Sequence, residues 1–263
     1  MSWLKEKFGT DKVILASVYL PPLPGSPGFK PGTSMDQMVE QVVEQLEPLR
    51  EGGVDGALLG NQGDRPFLAG VGHETVAAAT RVISDAVRAA PIQFGVTVFW
   101  DTAAAIAIAR ATGACVVRGV FGGAYAGEMG LVQVSSGEIQ RYRNSVDASG
   151  IRTMFMLKPI WSYTLDPRPV EVMAREAVTV SGADSIALCG PEVGDAPDLG
   201  DLEKARQAAG GVPVLLNNGA NTSNVGSILK VCDGVVVATS LKKSGKFDRD
   251  AVMRFMDLVR SVR

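Results

Sequence analysis

The chain has 263 residues, 46% hydrophobic and 21% charged, a composition that can bury a full core in a globular fold. Its 26 Lys and Arg against 28 Asp and Glu leave a formal charge of −2, which excludes the basic field behind nucleic-acid binding. Cys115, Cys189 and Cys232 lie far apart in apolar runs, with no CxxC or HExxH pattern, so reduced core thiols are expected and neither disulfides nor a zinc site.

The N-terminal MSWLKEKFG lacks the apolar stretch of a secretory signal, and no apolar run reaches membrane-spanning length, so a cytoplasmic protein is expected. Trp3, Leu4 and Phe8, set among Lys5 and Lys7, read as an opening helix that closes the floor of the fold; contact with a membrane surface is the alternative. Beyond it, short β-branched runs alternate with segments of helical spacing. Strands are expected at 13–18, 54–59, 92–99, 114–121, 151–157, 183–189, 212–217 and 233–239. None alternates strictly with polar residues, as parallel strands covered on both faces require. Helix starts are marked by Ser34 three before Gln37, Asp101, Ser135 three before Glu138, Asp166-Pro167, Asp198 three before Asp201, and Asp248. GGVDG, TGA, SGAD and CDG recur where a helix gives way to a strand, with glycine supplying the left-handed cap. Eight such units with no linker predict an α/β fold, a single (β/α)8 TIM barrel over residues 1–263.

In that architecture the loops after the strands carry function. Those loops are the longer ones: YLPPLPGSPGFKPGTS, GNQGDRPFLAG, FGGAYAGEMGLVQVSS and LCGPEVGDAPDLG. After the last two strands come NNGANTSN and ATSLKKSG, where many barrels hold phosphate on Gly-rich amides and a short helix. Gly219, Ala220 and Asn221 are expected to form one lip and Ala238, Thr239 and Ser240 the other, with Lys242 or Lys243 adding charge. Asn221 or Thr222 also reads as a plain N-cap for the following helix.

Lys158 follows the apolar TMFML and is expected to act, if desolvated, as a base, a Schiff-base amine or an anion anchor; the alternative is an ion pair with Asp64 or Glu192. Asp64 in its tight loop is the expected general acid or base, or else a turn-forming residue. Tyr19, Asn61, Thr97, Asp101, Arg118, Glu192 and Asn217, at strand ends or just after them, are the expected substrate contacts; Asp101 also reads as an N-cap. Arg118, within a strand, needs an acidic partner or an anionic ligand if it points inward. His73, the lone histidine, reads as a helix-start or surface residue. No cofactor or metal is expected.

Taken together, LPPLPGSP, GGVDG, NQGDRPF, RATGA, GAY and DGVVVATSLKKSG make the chain resemble the BtpA/SgcQ family of membrane-complex biogenesis proteins and nucleosidase-like proteins over nearly its whole length. The resemblance implies a barrel of the ribulose-phosphate-binding type, with a phosphate end to its site. It also marks departures: Tyr19 replaces the family's His, Gly60 its Glu, Thr97 and Trp100 an Asn and an Arg, and Met154, Met156 and Pro159 its Asp and His residues, while Lys158 is kept. Two functions are expected from this: an enzyme acting on a small phosphorylated sugar or nucleoside-like metabolite, or a non-catalytic factor for assembly of a membrane or protein complex. A homodimer is the expected oligomer.

Overall fold

The structure is a computed structural model that describes residues 2–192 and 194–263; Val193, in the loop expected after the sixth strand, lies outside them. In chain order the elements begin α1 (Trp3–Phe8), β1 (Val13–Tyr19), α2 (Met35–Gly52), β2 (Gly56–Gly60), α3 (His73–Ala89), β3 (Phe94–Thr97), α4 (Thr102–Thr112) and β4 (Val116–Gly119). Then follow β5 (Gly123–Gly127), β6 (Gly130–Val134), α5 (Ser136–Ser145), β7 (Arg152–Leu157), β8 (Ser162–Thr164), α6 (Val170–Thr179) and β9 (Ser185–Leu188). The chain ends with α7 (Leu199–Ala208), β10 (Val214–Leu216), α8 (Val225–Val231), β11 (Gly234–Val237), a 3-10 turn (Thr239–Leu241), β12 (Lys242–Lys243), β13 (Lys246–Phe247) and α9 (Arg249–Arg260).

Eight parallel strands close into a barrel in the order β1-β11-β10-β9-β7-β4-β3-β2, so each expected strand run supplies one stave. Ladders end earlier than the apolar runs, at Thr97 and Gly119, because the following residues leave the sheet to line the mouth. Along β1, Ile14, Ala16 and Val18 pack toward the helices, while Leu15 joins Leu58, Val116, Met154, Ala187, Leu215 and Val236 inside the barrel. This period-two division is what a strand covered on both faces imposes. Below them Trp3 and Leu4 of α1 enter the same interior cluster, and the Trp3 indole donates to the Asp184 carbonyl at 2.8 Å. That geometry is the barrel floor expected of the opening helix. No helix among the described residues is long and apolar enough to cross a membrane.

The capping residues behave as read: Ser34 and Gln37 form a reciprocal capping box, and Asp101, Ser135, Asp198 and Asp248 each accept from a first-turn amide. Gly53 and Gly113 cap their helices in the left-handed region. CDG departs from the pattern, because α8 ends at Cys232 in extended conformation. Its Asp233 instead accepts from the Val214 amide at 3.0 Å, as Asp55 does from Ile14 and Asp184 from Thr153, so three equivalent aspartates pin the strand starts.

Two expectations are corrected. The segment after β4 is not an open loop: β5 and β6 form an antiparallel hairpin, extended by β8 into a three-stranded sheet beside the mouth. Strand pairing satisfies the backbone of so many small residues better than a coil does. Asp166-Pro167 does not begin a helix; α6 starts at Val170, and Asp166 instead accepts from the Arg168 amide and pairs with its guanidinium.

Candidate functional site

The carboxyl end of the barrel holds a cavity of about 240 Å³ lined by residues of β1, β4 and β11 and by the segments that follow β2, β3, β7, β9, β10 and β11. That lies below the usual range for drug-sized ligands and fits a compact metabolite.

Arg118 forms its floor. It points inward from β4, one layer above Val116, and is only 3% exposed. Its Nη1 donates to Asn217 Oδ1 across the barrel at 3.0 Å, and its Nε has no partner among the described residues. The Gln62 amide satisfies its surroundings when its nitrogen donates to the Gly60 carbonyl at 2.9 Å and its oxygen accepts from Arg118 Nη2 at 3.2 Å. The ionisable groups facing Arg118 are the Cys189 thiol and the Tyr19 phenol, with no carboxylate of the described residues acting on it. Burial therefore pulls its pKa down, and burial likewise pushes Cys189 up to about 11. Asn217 completes the network by donating to Cys189 Sγ at 3.1 Å. A guanidinium held among neutral partners is a standing positive charge aimed at a small cavity.

The rim is built from the segments after β10 and β11. Gly219 has φ +87, and a Cβ there would meet the Ala196 nitrogen at 2.1 Å. The neighbouring Asn218 ties the loop after β9 to this turn: its amide nitrogen donates to the Glu192 and Asp195 carbonyls at 2.7 and 2.6 Å, and its oxygen accepts from Gly190 at 2.9 Å. Across the rim, Ser240 donates to the Ala220 carbonyl at 2.8 Å, which joins the two lips. Thr239 opens the 3-10 turn and is exposed. Asn221 lines the cavity, but its amide donates to Asn224 Oδ1 at 2.7 Å, so that donor is spent within the turn. α8 starts only at Val225 with Asn224 as its cap position, so neither Asn221 nor Thr222 is the N-cap.

The upper wall is aromatic. Phe99 and Trp161 line the cavity, Phe67 stacks on both at 4.8 and 5.3 Å, and the Arg65 guanidinium lies 4.7 Å from the Trp161 ring centre. Trp100, Lys158 and Trp161 all have positive φ (71°, 52° and 61°), so backbone strain gathers at this end of the barrel.

The remaining expected residues divide by position. Tyr19, Arg118 and Asn217 line the cavity together with the rim residues Gly219, Ala220, Asn221, Thr239 and Ser240. Neither Lys242 nor Lys243 lines the cavity; the Lys242 ammonium lies between the Tyr19 and Phe247 rings at 4.8 and 4.7 Å. Asn61 is buried and accepts from the Phe99 amide at 2.7 Å, which positions the aromatic wall. Thr97 is buried beside Gly60, and Asp101 accepts from the Ala104 and Val71 amides as helix cap and loop anchor. His73 is exposed at the start of α3, and the exposed Glu192 meets the site through its carbonyl.

Lys158 and Asp64 are not brought together. Lys158 pairs with Asp201 at 2.9 Å, not with Asp64 or Glu192, and it lines a separate pocket of about 580 Å³ on the far side of the 159–162 segment. Its left-handed backbone turns the side chain out of the barrel, and at 40% exposure it is not desolvated. Asp64 is buried against the proline-rich loop after β1, with Oδ1 accepting from the Leu23 amide at 2.7 Å and Oδ2 unpartnered. Burial raises its pKa above the ordinary 3.8. The folded chain therefore binds this proton more tightly than the unfolded chain, and stability falls as pH climbs from 3.8 through the raised value. Asp64→Asn, which keeps an acceptor for Leu23, is expected to lessen that fall, measured by urea unfolding at pH 4 and pH 7.

Sequence reasoning missed Ser17, Gln62, Phe99 and Trp161. Ser17 was accessible from parity, being two residues before Tyr19 on the same strand face. Trp161 carries no signal of its own, since its place depends on a left-handed turn. Among the described residues no group of three or more His, Cys, Asp or Glu side chains stands together as metal ligands.

Residues 10–261 match the BtpA family. The sgc region protein SgcQ of Escherichia coli is 34% identical over 100% of both chains. The photosystem I biogenesis protein BtpA of Synechocystis is 32% identical over 93% of this chain and 85% of its own. Among solved structures, (S)-3-O-geranylgeranylglyceryl phosphate synthase from Thermoplasma acidophilum, in complex with sn-glycerol-1-phosphate, is similar with a TM-score of 0.60 at 15% identity over 100% of both chains. Thiamine phosphate pyrophosphorylase from Pyrococcus furiosus gives 0.59 at 17% identity over 98% of both chains. These structures share the TIM-barrel fold. Matched by that family over nearly its whole length, and above 30% identity by both relatives, the chain belongs to the BtpA family.

Proposed function

We propose that the cavity takes a small phosphorylated metabolite, with its phosphate at the rim formed by Gly219, Ala220, Thr239 and Ser240, and that the protein is an enzyme acting on it. The observation that carries the anionic ligand is Arg118: a guanidinium so buried, with no carboxylate of the described residues beside it, is costly unless a ligand supplies negative charge. The rim adds the exposed Thr239 hydroxyl and turn amides of the kind that hold phosphate after the last two strands of such barrels, while the Ser240 hydroxyl ties the lips together. The names of the barrel's structural neighbours, a glyceryl phosphate synthase and a thiamine phosphate pyrophosphorylase, support the same substrate class. In this reading Arg118 stabilises negative charge that develops on the substrate, and Tyr19 supplies a hydroxyl at the wall. Asp64 and Lys158, expected to carry the chemistry, act only through the loops they hold.

Thr239 is exposed, so a carboxylate there disturbs the rim without disturbing the core. Thr239→Asp is expected to weaken binding of inorganic phosphate and glycerol 3-phosphate by about tenfold or more in calorimetric titration. Equal binding by wild type and variant overturns the placement of phosphate at the rim.

A second reading, a barrel that no longer catalyses and serves the assembly of a membrane or protein complex, is favoured by one observation. Among the described residues that line the cavity there is no carboxylate, lysine or histidine. A screen of the purified protein against a pool of phosphorylated metabolites separates the two, since turnover of any of them excludes the second.

A further inference from the structure

The cavity presents two donor sets at two depths. At the rim stand Gly219, Ala220, Ser240 and the exposed Thr239; on the floor stands Arg118, 3% exposed, with Ser17 and Tyr19 lining the same cavity. β4, which carries Arg118, lies diametrically across the closed strand order from β11, which leads into Thr239 and Ser240. The Arg118 guanidinium itself reaches across to Asn217, two residues before Gly219, and keeps Nε unpartnered among the described residues, so a ligand whose phosphate is held by the rim has the guanidinium within reach of its other end.

Among the described residues, the hydrogen-bond partners of the Arg118 guanidinium are neutral. Asn217 takes Nη1, Gln62 takes Nη2, and the Cys189 thiol stays protonated because burial holds its pKa near 11. Both amides present oxygen to the arginine, so they orient the fork without neutralising it. A planar, fixed, uncompensated guanidinium matches a carboxylate better than a hydroxyl, because two parallel charge-assisted hydrogen bonds form on one edge.

We infer that the ligand is a short phosphorylated carboxylic acid, doubly anionic, with its phosphate at the rim and its carboxylate on Arg118. The cavity of about 240 Å³ limits the skeleton between those two ends to a few carbons. This rests on the phosphate reading above and adds the chemistry of the ligand's other end. It makes Arg118 the residue that selects acids over the corresponding alcohols.

The test compares matched probes that differ in the carboxylate: 3-phosphoglycerate against glycerol 3-phosphate, and 6-phosphogluconate against sorbitol 6-phosphate. Gluconate serves as an acid without phosphate. Each is titrated calorimetrically into the full-length wild type and into Arg118→Met, with circular dichroism to show that the variant is folded. The expected result is that wild type binds the better-fitting phospho-acid about tenfold or more tighter than its partner, and that the gap closes to within about twofold in the variant. Equal affinity for acid and alcohol in wild type, with both weakened alike by Arg118→Met, places the phosphate itself on Arg118 and overturns the inference while leaving the phosphate reading intact. Binding of gluconate and the phospho-acids with equal strength sinks the phosphate reading but keeps the carboxylate on Arg118. No binding of any probe overturns both.

Discussion

Arg118→Met is expected to raise the melting temperature of the unliganded protein while removing its affinity for anions. Among the described residues the arginine holds a desolvated charge with an unpartnered Nε and no carboxylate beside it, so folding bears a desolvation cost that its hydrogen bonds to Asn217 and Gln62 return only in part. Methionine fills a similar volume without that cost, and replacement even of paired buried charges by apolar side chains of similar volume is neutral or stabilising by on the order of 1 to 4 kcal/mol. At about 2 to 4 °C per kcal/mol for a chain of this size, the shift is roughly 2 to 16 °C. The oxygens left behind on Asn217 and Gln62 line the cavity, where water reaches them. A melting temperature that falls instead shows that Arg118 is a structural strut and removes the main support for an anion site. Scanning calorimetry with and without 3-phosphoglycerate reads both effects, since ligand stabilisation should appear in wild type alone.

Gly219→Ala is expected to damage stability and the rim together. Its φ of +87 is costly for any residue with a Cβ, by about 1 to 2 kcal/mol. The new methyl also meets the backbone at Ala196, where a nitrogen lies 2.1 Å away and has no rotamer with which to yield. Overpacking of that kind adds about 1 to 3 kcal/mol, for a fall in melting temperature of roughly 4 to 20 °C. The displaced segment is the one Asn218 ties down through Glu192, Asp195 and Gly190, so phosphate affinity should fall with stability. Ala220→Gly, one residue on, adds no clash and serves as the control. Unchanged melting and phosphate titration in Gly219→Ala would falsify the close packing of the two loops on which the rim depends.

The two variants separate the roles at the mouth. Arg118 is expected to trade stability for charge, as binding sites commonly do, whereas Gly219 serves stability and function at once because the rim is shaped by the packing of two loops.

The barrel was legible from the residues. Eight apolar runs became eight parallel staves, and capping side chains such as Ser34, Asp101, Ser135, Asp198 and Asp248 started their helices where expected. These signals act over a few residues, so the chain carries them without help from the fold. The rim was legible for a similar reason, since turn chemistry after the last two strands is local. Loops were harder. FGGAYAGEMGLVQVSS reads as coil, and its pairing with β8 depends on a segment about 30 residues further on.

The site beyond the rim was decided by tertiary structure. Arg118 announced by sequence only that it needed a partner; whether that partner was a carboxylate or nothing was settled by closure of the barrel, which set Asn217, Gln62 and Cys189 around it. Lys158 and Asp64 looked equivalent from their positions at strand ends, yet a left-handed turn sends Lys158 to Asp201 and a proline-rich loop folds over Asp64 to take its carboxylate at Leu23. Periodicity and capping determined where strands and helices lie, because those are short-range properties of backbone and neighbouring side chains. Which polar groups share one cavity was left to closure, because strands distant in the chain meet only when the barrel shuts.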